Sequence, residues 1–119
     1  LYYTLCYQSR VGPMKWIGPS TDNEIRRAGA DKIPLVVVPV AFVSDHSETL
    51  VEIDMEYRHL AEACGVPSYV YAGTVGTMPD FISGLAALVR NLMSQNADCI
   101  SGCGKRICLT QFKGCPHKI

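Results

Sequence analysis

The sequence predicts an α/β fold, in which a mostly parallel β-sheet carries helices on both of its faces. The order of the segments supports this, because short runs of strand character alternate with longer segments whose apolar residues recur at helical spacing. That order is typical of parallel sheets, since each crossover helix carries the chain back to begin the next parallel strand. With 119 residues, the chain has the length of about one domain.

The first predicted strand covers residues 1–7, which are mostly apolar and aromatic. Gly-Pro pairs at residues 12–13 and 18–19 then predict an extended loop. This loop is expected to display Met14 and Trp16.

A short helix and a buried strand follow this loop. Residues 20–22 can cap a helix that runs through Arg27 and stops at Gly29. The continuous apolar run 35–42 predicts a strand buried on both faces, and Pro39 is an irregularity within it.

Two longer helices and a short strand complete the predicted body. Asp45 and Glu48 have the spacing of a capping box at the start of the first helix, and Gly65 marks its end. Residues 69–71 are a strand candidate, and the second helix spans residues 78–94. The residues expected to face the core are Leu50, Ile53, Tyr57, Leu60, Ala61 and Cys64 in the first helix and Phe81, Leu85, Leu88, Val89 and Leu92 in the second.

Charge is balanced over the whole chain but unevenly distributed along it. Eleven basic residues match eleven acidic ones, so no overall field recruits nucleic acid or an anionic membrane. Five of the acids lie between Asp45 and Glu56 without any Lys or Arg, whereas residues 99–119 are basic and contain no acid. No apolar stretch approaches the roughly 20 residues of a membrane span. The first residues lack both Met and a secretory signal, so we expect the chain to be a fragment.

The junction between the strand 35–42 and the following helix is the first candidate site. His46 and Glu48 follow the carboxyl end of this strand, where ligands of open parallel sheets bind. Glu48, Glu52 and Glu56 are spaced by four and form one acidic stripe on a helix. Such a stripe can attract a divalent cation or protons, or it can be an ordinary solvated face. Spacing alone leaves both interpretations open.

Residues 40–50, continued by residues 52–57, resemble the ferrochelatase signature around its active-site His and Glu. A second family segment is similar to residues 8–13, with Trp16 and residues 19–22 following in order. Similarity of this kind extends over roughly residues 1–95. The resemblance implies a three-layer, chelatase-like domain that is one lobe of a two-lobed enzyme.

The resemblance also implies a function: a lyase that inserts ferrous iron into protoporphyrin IX to make protoheme, the last step of heme biosynthesis. By position in the family pattern, His46 and Glu48 are the catalytic residues. Glu52 and Glu56 match an acidic path for protons or iron. The residues that match the apolar wall holding the porphyrin are Val11, Met14 and Trp16.

The resemblance covers only part of the family pattern. Ser47 replaces an apolar residue, usually Ile, and the family's other active-site His and first lobe are absent from this sequence. We therefore expect the chain alone to be inactive, and its partners to include the amino-terminal lobe. Alternatives are a homodimer that rebuilds the cleft and a peripheral membrane contact. The expected location is the bacterial cytoplasm or the cytoplasmic face of the inner membrane, with the matrix side of the mitochondrial inner membrane as the alternative.

Cysteines crowd the end of the chain, which divides it into a body, residues 1–95, and a tail, residues 96–119. Four thiols interleaved with glycines can complete a [2Fe-2S] cluster, and a zinc site with four thiolate ligands is the rival. Some ferrochelatases carry such a cluster on a similar extension. The expected ligands are Cys99, Cys103, Cys108 and Cys115. An alternative function is therefore a cysteine-ligated sensing or structural module without catalysis of its own.

Overall fold

The computed structural model describes residues 2–8, 12–95 and 99–116. Its elements are α1 (Thr21–Ala30), β1 (Leu35–Val37), a π-helix (Glu48–Glu56) that continues as α2 (Tyr57–Ala63), β2 (Tyr69–Tyr71) and α3 (Pro79–Ser94). From α1 onward, helices and strands alternate as the sequence predicts. The chain forms two compact units, the first ending at Gly76 and the second beginning at Thr77.

The sheet of the described residues consists of β1 and β2, which run parallel. Leu35 pairs with Tyr69 and Val37 with Tyr71. The ladder is extended at one end by a hydrogen bond from the Ala72 N–H to the Val37 carbonyl at 2.9 Å. Because the π-helix and α2 form the crossover between the strands, the parallel pairing predicted from the segment order is confirmed for this pair.

The strand predicted over residues 35–42 is shorter than expected and is not buried on both faces. It ends at Val37, before Pro39, which has no N–H to donate to a ladder. Leu35 and Val37 pack against the core, whereas Val36 between them is 67% exposed. Within the first unit, the helices therefore pack against one face of the sheet. An unbroken apolar run does not by itself reveal that its alternate residues face solvent.

The strand predicted at the start of the chain is not formed over residues 2–7. Tyr7 makes only an isolated bridge to Ser20, in which its N–H donates to the Pro19 carbonyl at 2.9 Å and its carbonyl accepts from Thr21 at 3.0 Å. The apolar composition of this segment predicted a strand, but the backbone instead ties the loop to the start of α1. This bridge places Gln8 beside the π-helix, where the candidate site lies.

The core of the first unit lies between α1, α2 and the sheet. Ile25, Ala61 and Tyr69 form its buried cluster. Gly29 allows the close approach of the two helices, because a Cβ on it would lie 2.4 Å from the Cys64 carbonyl oxygen. The Tyr69 hydroxyl donates to the Ile53 carbonyl at 2.6 Å, which ties β2 to the π-helix.

The segment from Glu48 to Glu56 forms a π-helix instead of the α-helix that the apolar spacing predicts. At its end, the Tyr57 N–H donates to the carbonyl of Glu52, five residues earlier. Ile53 is buried as expected, but Leu50 is 46% exposed. The spacing of 3.6 residues per turn fails here because π-type hydrogen bonding changes which side chains share a face.

The long helix α3 belongs to the second unit and confirms the helix predicted over residues 78–94, one residue shorter at its start. Met78 precedes it in an extended conformation and Pro79 occupies its first turn. Asp80 adds an acidic side chain near the amino end. Among the described residues, no helix combines the length and apolar character that crossing a bilayer requires.

Candidate functional site

The loop that leads into the π-helix is held by a buried threonine. The Thr49 hydroxyl accepts a hydrogen bond from the His46 N–H at 2.9 Å and lies 3.2 Å from the Asp45 carboxylate. Ser47 is the residue before the helix, and its side chain makes no capping bond. The capping box expected from Asp45 and Glu48 is therefore replaced by contacts of Thr49, one residue after Glu48.

Asp45 is also anchored to the sheet. The Tyr71 hydroxyl donates to its Oδ1 at 2.7 Å. This hydrogen bond is the main reason that the pKa of Asp45 lies below its ordinary value, with Thr49 adding to the effect. The contact fixes the first turn of the π-helix relative to β2, and so fixes His46 and Glu48.

The imidazole of His46 is oriented by two contacts. Its ring packs edge-on against Phe42, with ring centroids 4.8 Å apart. Its Nδ1 accepts a hydrogen bond from the Glu48 N–H at 3.3 Å. In a neutral imidazole with Nδ1 as acceptor, Nε2 carries the proton. The contact with the Glu48 N–H therefore involves Nδ1 and leaves Nε2 as the other ring nitrogen.

Gln8 joins two of the carboxylates of the acidic stripe. Its Nε2 donates to Glu48 Oε1 at 3.4 Å and to Glu52 Oε2 at 3.5 Å. The Tyr57 hydroxyl donates to Glu52 Oε1 at 3.1 Å. The structure therefore brings Glu48 and Glu52 to the same amide group, and both side chains are half-buried.

Glu56, the third member of the stripe, lies at the end of the π-helix and is exposed. The stripe thus runs from two half-buried carboxylates to one at the surface.

A cleft of about 830 Å³ opens beside this stripe. This volume falls within the range of roughly 300–1,000 Å³ that is typical of small-molecule sites. Gln8, Trp16, Glu52 and Tyr57 are among its lining residues. The Trp16 indole donates to the Gln8 carbonyl at 3.1 Å, which links the loop to the residue that contacts both carboxylates.

The three residues predicted to form an apolar porphyrin wall have different placements. Trp16 lines the cleft and is 41% exposed. Met14 is 70% exposed and is not among the lining residues. Val11 lies outside the described residues.

The tail cysteines are described by themselves, because they belong to the second unit. A hydrogen bond with Cys115 is the main cause that raises the pKa of the Cys108 thiol, and the charges of Cys115 and, more weakly, Cys99 act in the same direction. Cys103 instead contacts the Ser101 hydroxyl at 3.4 Å, and this contact, followed by a backbone contact with Lys105, lowers its pKa.

No group of three or more His, Cys, Asp or Glu side chains is arranged to hold a metal ion within residues 2–8, 12–95 and 99–116. The four tail thiols are therefore not assembled as a ligand set in this structure. Cys108 contacts Cys115, Cys99 has only a weak effect on the pKa of Cys108, and Cys103 makes other contacts.

Two residues of the site were not assigned a role from the sequence. Gln8 lies at the start of a segment that resembles the family, but no spacing in the sequence predicts that its amide lies between two carboxylates. Tyr57 was assigned to the core face, and it does pack there. Its contact with Glu52 depends on the π-helix, which apolar periodicity does not predict.

Comparison with known proteins bears directly on this site. The family model described as Ferrochelatase matches residues 2–93. This range includes every residue of the candidate site in the first unit that the structure describes. Among curated proteins, the ferrochelatase of Caulobacter vibrioides is 51% identical over 115 residues, covering 96% of this chain and 33% of the relative. That of Hyphomonas neptunium is 45% identical over 114 residues, covering 96% and 32%. That of Phenylobacterium zucineum is 57% identical over 82 residues, covering 69% and 24%.

The chain thus spans about a third of the length of the Caulobacter and Hyphomonas relatives that it matches. The match with the family model covers most of the chain and includes both the loop with Trp16 and the π-helix. The chain belongs to the ferrochelatase family.

Proposed function

We propose that this chain is the carboxy-terminal part of a ferrochelatase that inserts ferrous iron into protoporphyrin IX to make protoheme, the last step of heme biosynthesis. The observation that carries the proposal is the meeting of Glu48 and Glu52 at the Gln8 amide, beside a cleft lined by Trp16. Family membership supports the same reaction. A cleft with one broad aromatic wall and adjacent carboxylates suits a flat macrocycle and a cation.

In this reaction, two pyrrole N–H protons leave as the ferrous ion enters the ring. Glu48 and His46 are the proposed acceptors of those protons, Glu48 through its carboxylate and His46 by exchange at Nε2. Glu52 and Glu56 are the proposed path between the cleft and solvent, because Glu52 is half-buried and lines the cleft whereas Glu56 is exposed. The ferrous ion is the substrate, and it completes its coordination with water and then with the pyrrole nitrogens.

Trp16, with Met14 and Val11, is the proposed apolar wall for the macrocycle. Aromatic and thioether side chains suit this role because they offer broad, polarizable surfaces to a flat ring. The bond from the Trp16 indole to the Gln8 carbonyl would couple this wall to the carboxylates.

The test of the proposal uses a chimera in which this chain replaces the matching 115 residues of the Caulobacter vibrioides ferrochelatase. We expect the chimera to insert ferrous iron into protoporphyrin IX. Glu48→Gln, which keeps the size of the side chain but removes its charge, should lower kcat about 100-fold or more, as expected for loss of a general acid or base. Unchanged insertion by this variant would exclude the role given to Glu48.

Glu62→Gln is the matched control for this experiment. Glu62 lies on α2, is exposed and is not one of the two carboxylates that Gln8 contacts. The substitution is the same, so any effect of charge removal alone appears in both variants. Insertion by the control should stay within about twofold of the parent chimera, as expected for a surface substitution.

The tail supports a second candidate function, a cysteine-ligated centre with a structural or sensing role. The observation that favours it is the contact between Cys108 and Cys115, with Cys99 adding weakly to the raised pKa of Cys108. Completing a [2Fe-2S] cluster or a four-thiolate zinc site requires Cys103 to exchange its contacts with Ser101 and Lys105 for the metal.

An absorption spectrum and metal analysis of anaerobically purified protein test the tail centre. Visible charge-transfer bands that disappear in Cys108→Ser and persist in Cys64→Ser would support an iron-sulfur cluster. Cys64 is a suitable control because it lies at the end of α2, in the other unit. A colourless protein with stoichiometric zinc would support the rival, and a protein with neither would exclude the centre.

The remaining proposed partners follow from the reaction and from the extent of the match. They are protoporphyrin IX, ferrous iron and the amino-terminal lobe, with a homodimer as the alternative source of the second wall. The bacterial sources of the relatives favour the bacterial cytoplasm, or the cytoplasmic face of the inner membrane, over the mitochondrial matrix.

A further inference from the structure

We infer that Tyr57 is a positioning residue that holds the Glu52 carboxylate in place for the incoming ferrous ion. This inference rests on the proposed function. It adds Tyr57 to the site, and it assigns iron, rather than protons, to the acidic stripe. The observation behind it is the 3.1 Å hydrogen bond from the Tyr57 hydroxyl to Glu52 Oε1.

The π-helix is what brings these two side chains together. In an α-helix, residues five apart stand about 140° apart around the axis and their side chains do not meet. Here the backbone N–H of Tyr57 bonds to the carbonyl of Glu52, so the same two residues are joined by a π-type backbone bond and by a side-chain bond. The local backbone geometry therefore sets the position of the hydroxyl.

Glu52 is restrained at both of its carboxylate oxygens. Tyr57 donates to Oε1, and Gln8 donates to Oε2 at 3.5 Å. Each carboxylate oxygen has about two acceptor positions, so both oxygens keep capacity for a further ligand. Both donors are neutral groups, and the ion pairs found among the described residues do not involve Glu52. Two carboxylate oxygens held in fixed positions with free acceptor capacity suit the oxygen coordination of a divalent metal ion, so this pattern favours a metal ion as the cargo that Glu52 receives.

The Tyr57 side chain is itself well supported. Its ring packs against the core cluster of Ile25, Ala61 and Tyr69. A tyrosine hydroxyl carries its proton at neutral pH, so Tyr57 acts as the donor in this hydrogen bond. A donor on a packed ring is more restrained than one on a mobile surface side chain, and the oxygen that it holds is correspondingly fixed.

Tyr57→Phe removes the hydroxyl and keeps the packing. In the chimera with the Caulobacter vibrioides enzyme, we expect the apparent KM for ferrous iron to rise about five- to tenfold, the size of one lost hydrogen bond. The KM for protoporphyrin should stay within about twofold, because Tyr57→Phe keeps the aromatic ring that lines the cleft and leaves Trp16 unchanged. Equal changes in both constants, or no change in either, would overturn the inference.

Tyr69→Phe is the matched control, since it also removes one tyrosine hydroxyl bonded to the π-helix. That hydroxyl donates to the Ile53 carbonyl and has no contact with the acidic stripe. The control should lower the unfolding midpoint while leaving the KM for iron within about twofold of the parent. A rise in the KM for iron that matched that of Tyr57→Phe would show that loss of structure alone explains the effect.

Direct binding of Mn²⁺ to the 119-residue chain separates this inference from the proposed function. Mn²⁺ prefers oxygen ligands to thiolates, so the tail cysteines compete little. Titration followed by the electron paramagnetic resonance signal of free Mn²⁺ should give an affinity about five- to tenfold weaker for Tyr57→Phe than for Tyr69→Phe. Equal affinities, or no binding by the parent chain, would overturn the inference even if the chimera inserts iron. An inactive chimera whose isolated chain shows the difference in affinity would exclude only the proposed function.

Discussion

The Tyr71 hydroxyl and the Asp45 carboxylate form the contact that ties the entry of the π-helix to the sheet. Their 2.7 Å hydrogen bond is exposed, and Asp45 also lies 3.2 Å from the Thr49 hydroxyl. Donors to the ionised carboxylate explain why the pKa of Asp45 is lowered in the folded chain. Protonation of Asp45 weakens these contacts. Because His46 and Glu48 follow directly in the chain, it is expected to loosen the segment that positions them.

This linkage predicts a pH-dependent stability difference between the wild-type chain and Tyr71→Phe. A carboxyl group whose pKa is lowered by folding contributes stability above its unfolded pKa of about 3.9, and this contribution is lost as the pH falls through the folded value. Tyr71→Phe should therefore have the lower unfolding midpoint at pH 6–7, and the two midpoints should converge at lower pH. Thermal unfolding followed by circular dichroism measures both curves.

Tyr3→Phe serves as the control for this measurement, because Tyr3 is 91% exposed. Its midpoint should follow that of the wild-type chain at every pH. A difference between Tyr71→Phe and the wild type that stayed constant down to pH 2.5 would mean that Asp45 is not the group responsible.

At the scale of elements, the end of α2 depends on a glycine in the left-handed region. Gly65 has φ of 78°, and its N–H donates to the Glu62 carbonyl at 3.0 Å while the Val66 N–H donates to Ala61 at 2.9 Å. These two bonds form a Schellman motif, which ends the helix and turns the chain toward β2. The position of Gly65 as the predicted helix end is confirmed.

Gly65→Ala should lower the free energy of unfolding by about 1 kcal/mol, because a side chain in the left-handed region is strained. Gly73→Ala should be neutral or slightly stabilising, since a Cβ on Gly73 meets nothing within 4 Å. Urea unfolding of both variants gives the comparison. Equal free energies for the two variants would contradict the assigned role of Gly65.

The elements also show how far the sequence alone could predict the structure. Apolar spacing and caps located α1 and α3, and residues 69–71 were predicted as the strand that is observed. The π-helix was not predictable from such spacing, because periodicity arguments assume the hydrogen bonding of an α-helix. The prediction of a strand over residues 1–7 was wrong for residues 2–7, because an apolar composition does not by itself provide a partner strand.

The candidate site likewise contains residues that the sequence could identify and residues that it could not. His46 and Glu48 were assigned by resemblance to the family, and the structure adds the contacts that hold them. Gln8 and Tyr57 were not assigned, because their roles arise from contacts across 40 residues and across a π-turn. Local sequence patterns carry signals for turns and caps, whereas contacts of this kind depend on the assembled fold.

At the scale of the whole molecule, the first unit leaves apolar surface uncovered. On the outer face of the sheet, Val36 is 67% and Val70 is 49% exposed, and they are paired in register. Apolar side chains mark an interaction surface when they form a large contiguous patch, and this pair is a candidate centre of one. The exposed pair and the match to about a third of the length of the relatives support the proposal that an amino-terminal lobe accompanies this chain.

The 119-residue chain by itself is expected to be much less active than a two-lobed enzyme. Trp16 remains 41% and Met14 70% exposed, so the proposed porphyrin wall contacts only one side of a ligand. A macrocycle held on one side is poorly oriented, and misplacement of a substrate costs about 100-fold or more in rate. We therefore expect the isolated chain to insert iron at least about 100-fold more slowly than the chimera with the Caulobacter vibrioides enzyme, as measured by the loss of protoporphyrin fluorescence.

Sedimentation velocity on the same samples distinguishes the two ways in which this expectation can fail. An isolated chain that is as active as the chimera and sediments as a dimer would show that two copies can rebuild the cleft. A monomer with the activity of the chimera would show that one lobe suffices, and the assignment of a second wall would be wrong. Glu48→Gln should lower the activity about 100-fold or more in either case, since every version of the reaction proposed for this chain uses that carboxylate.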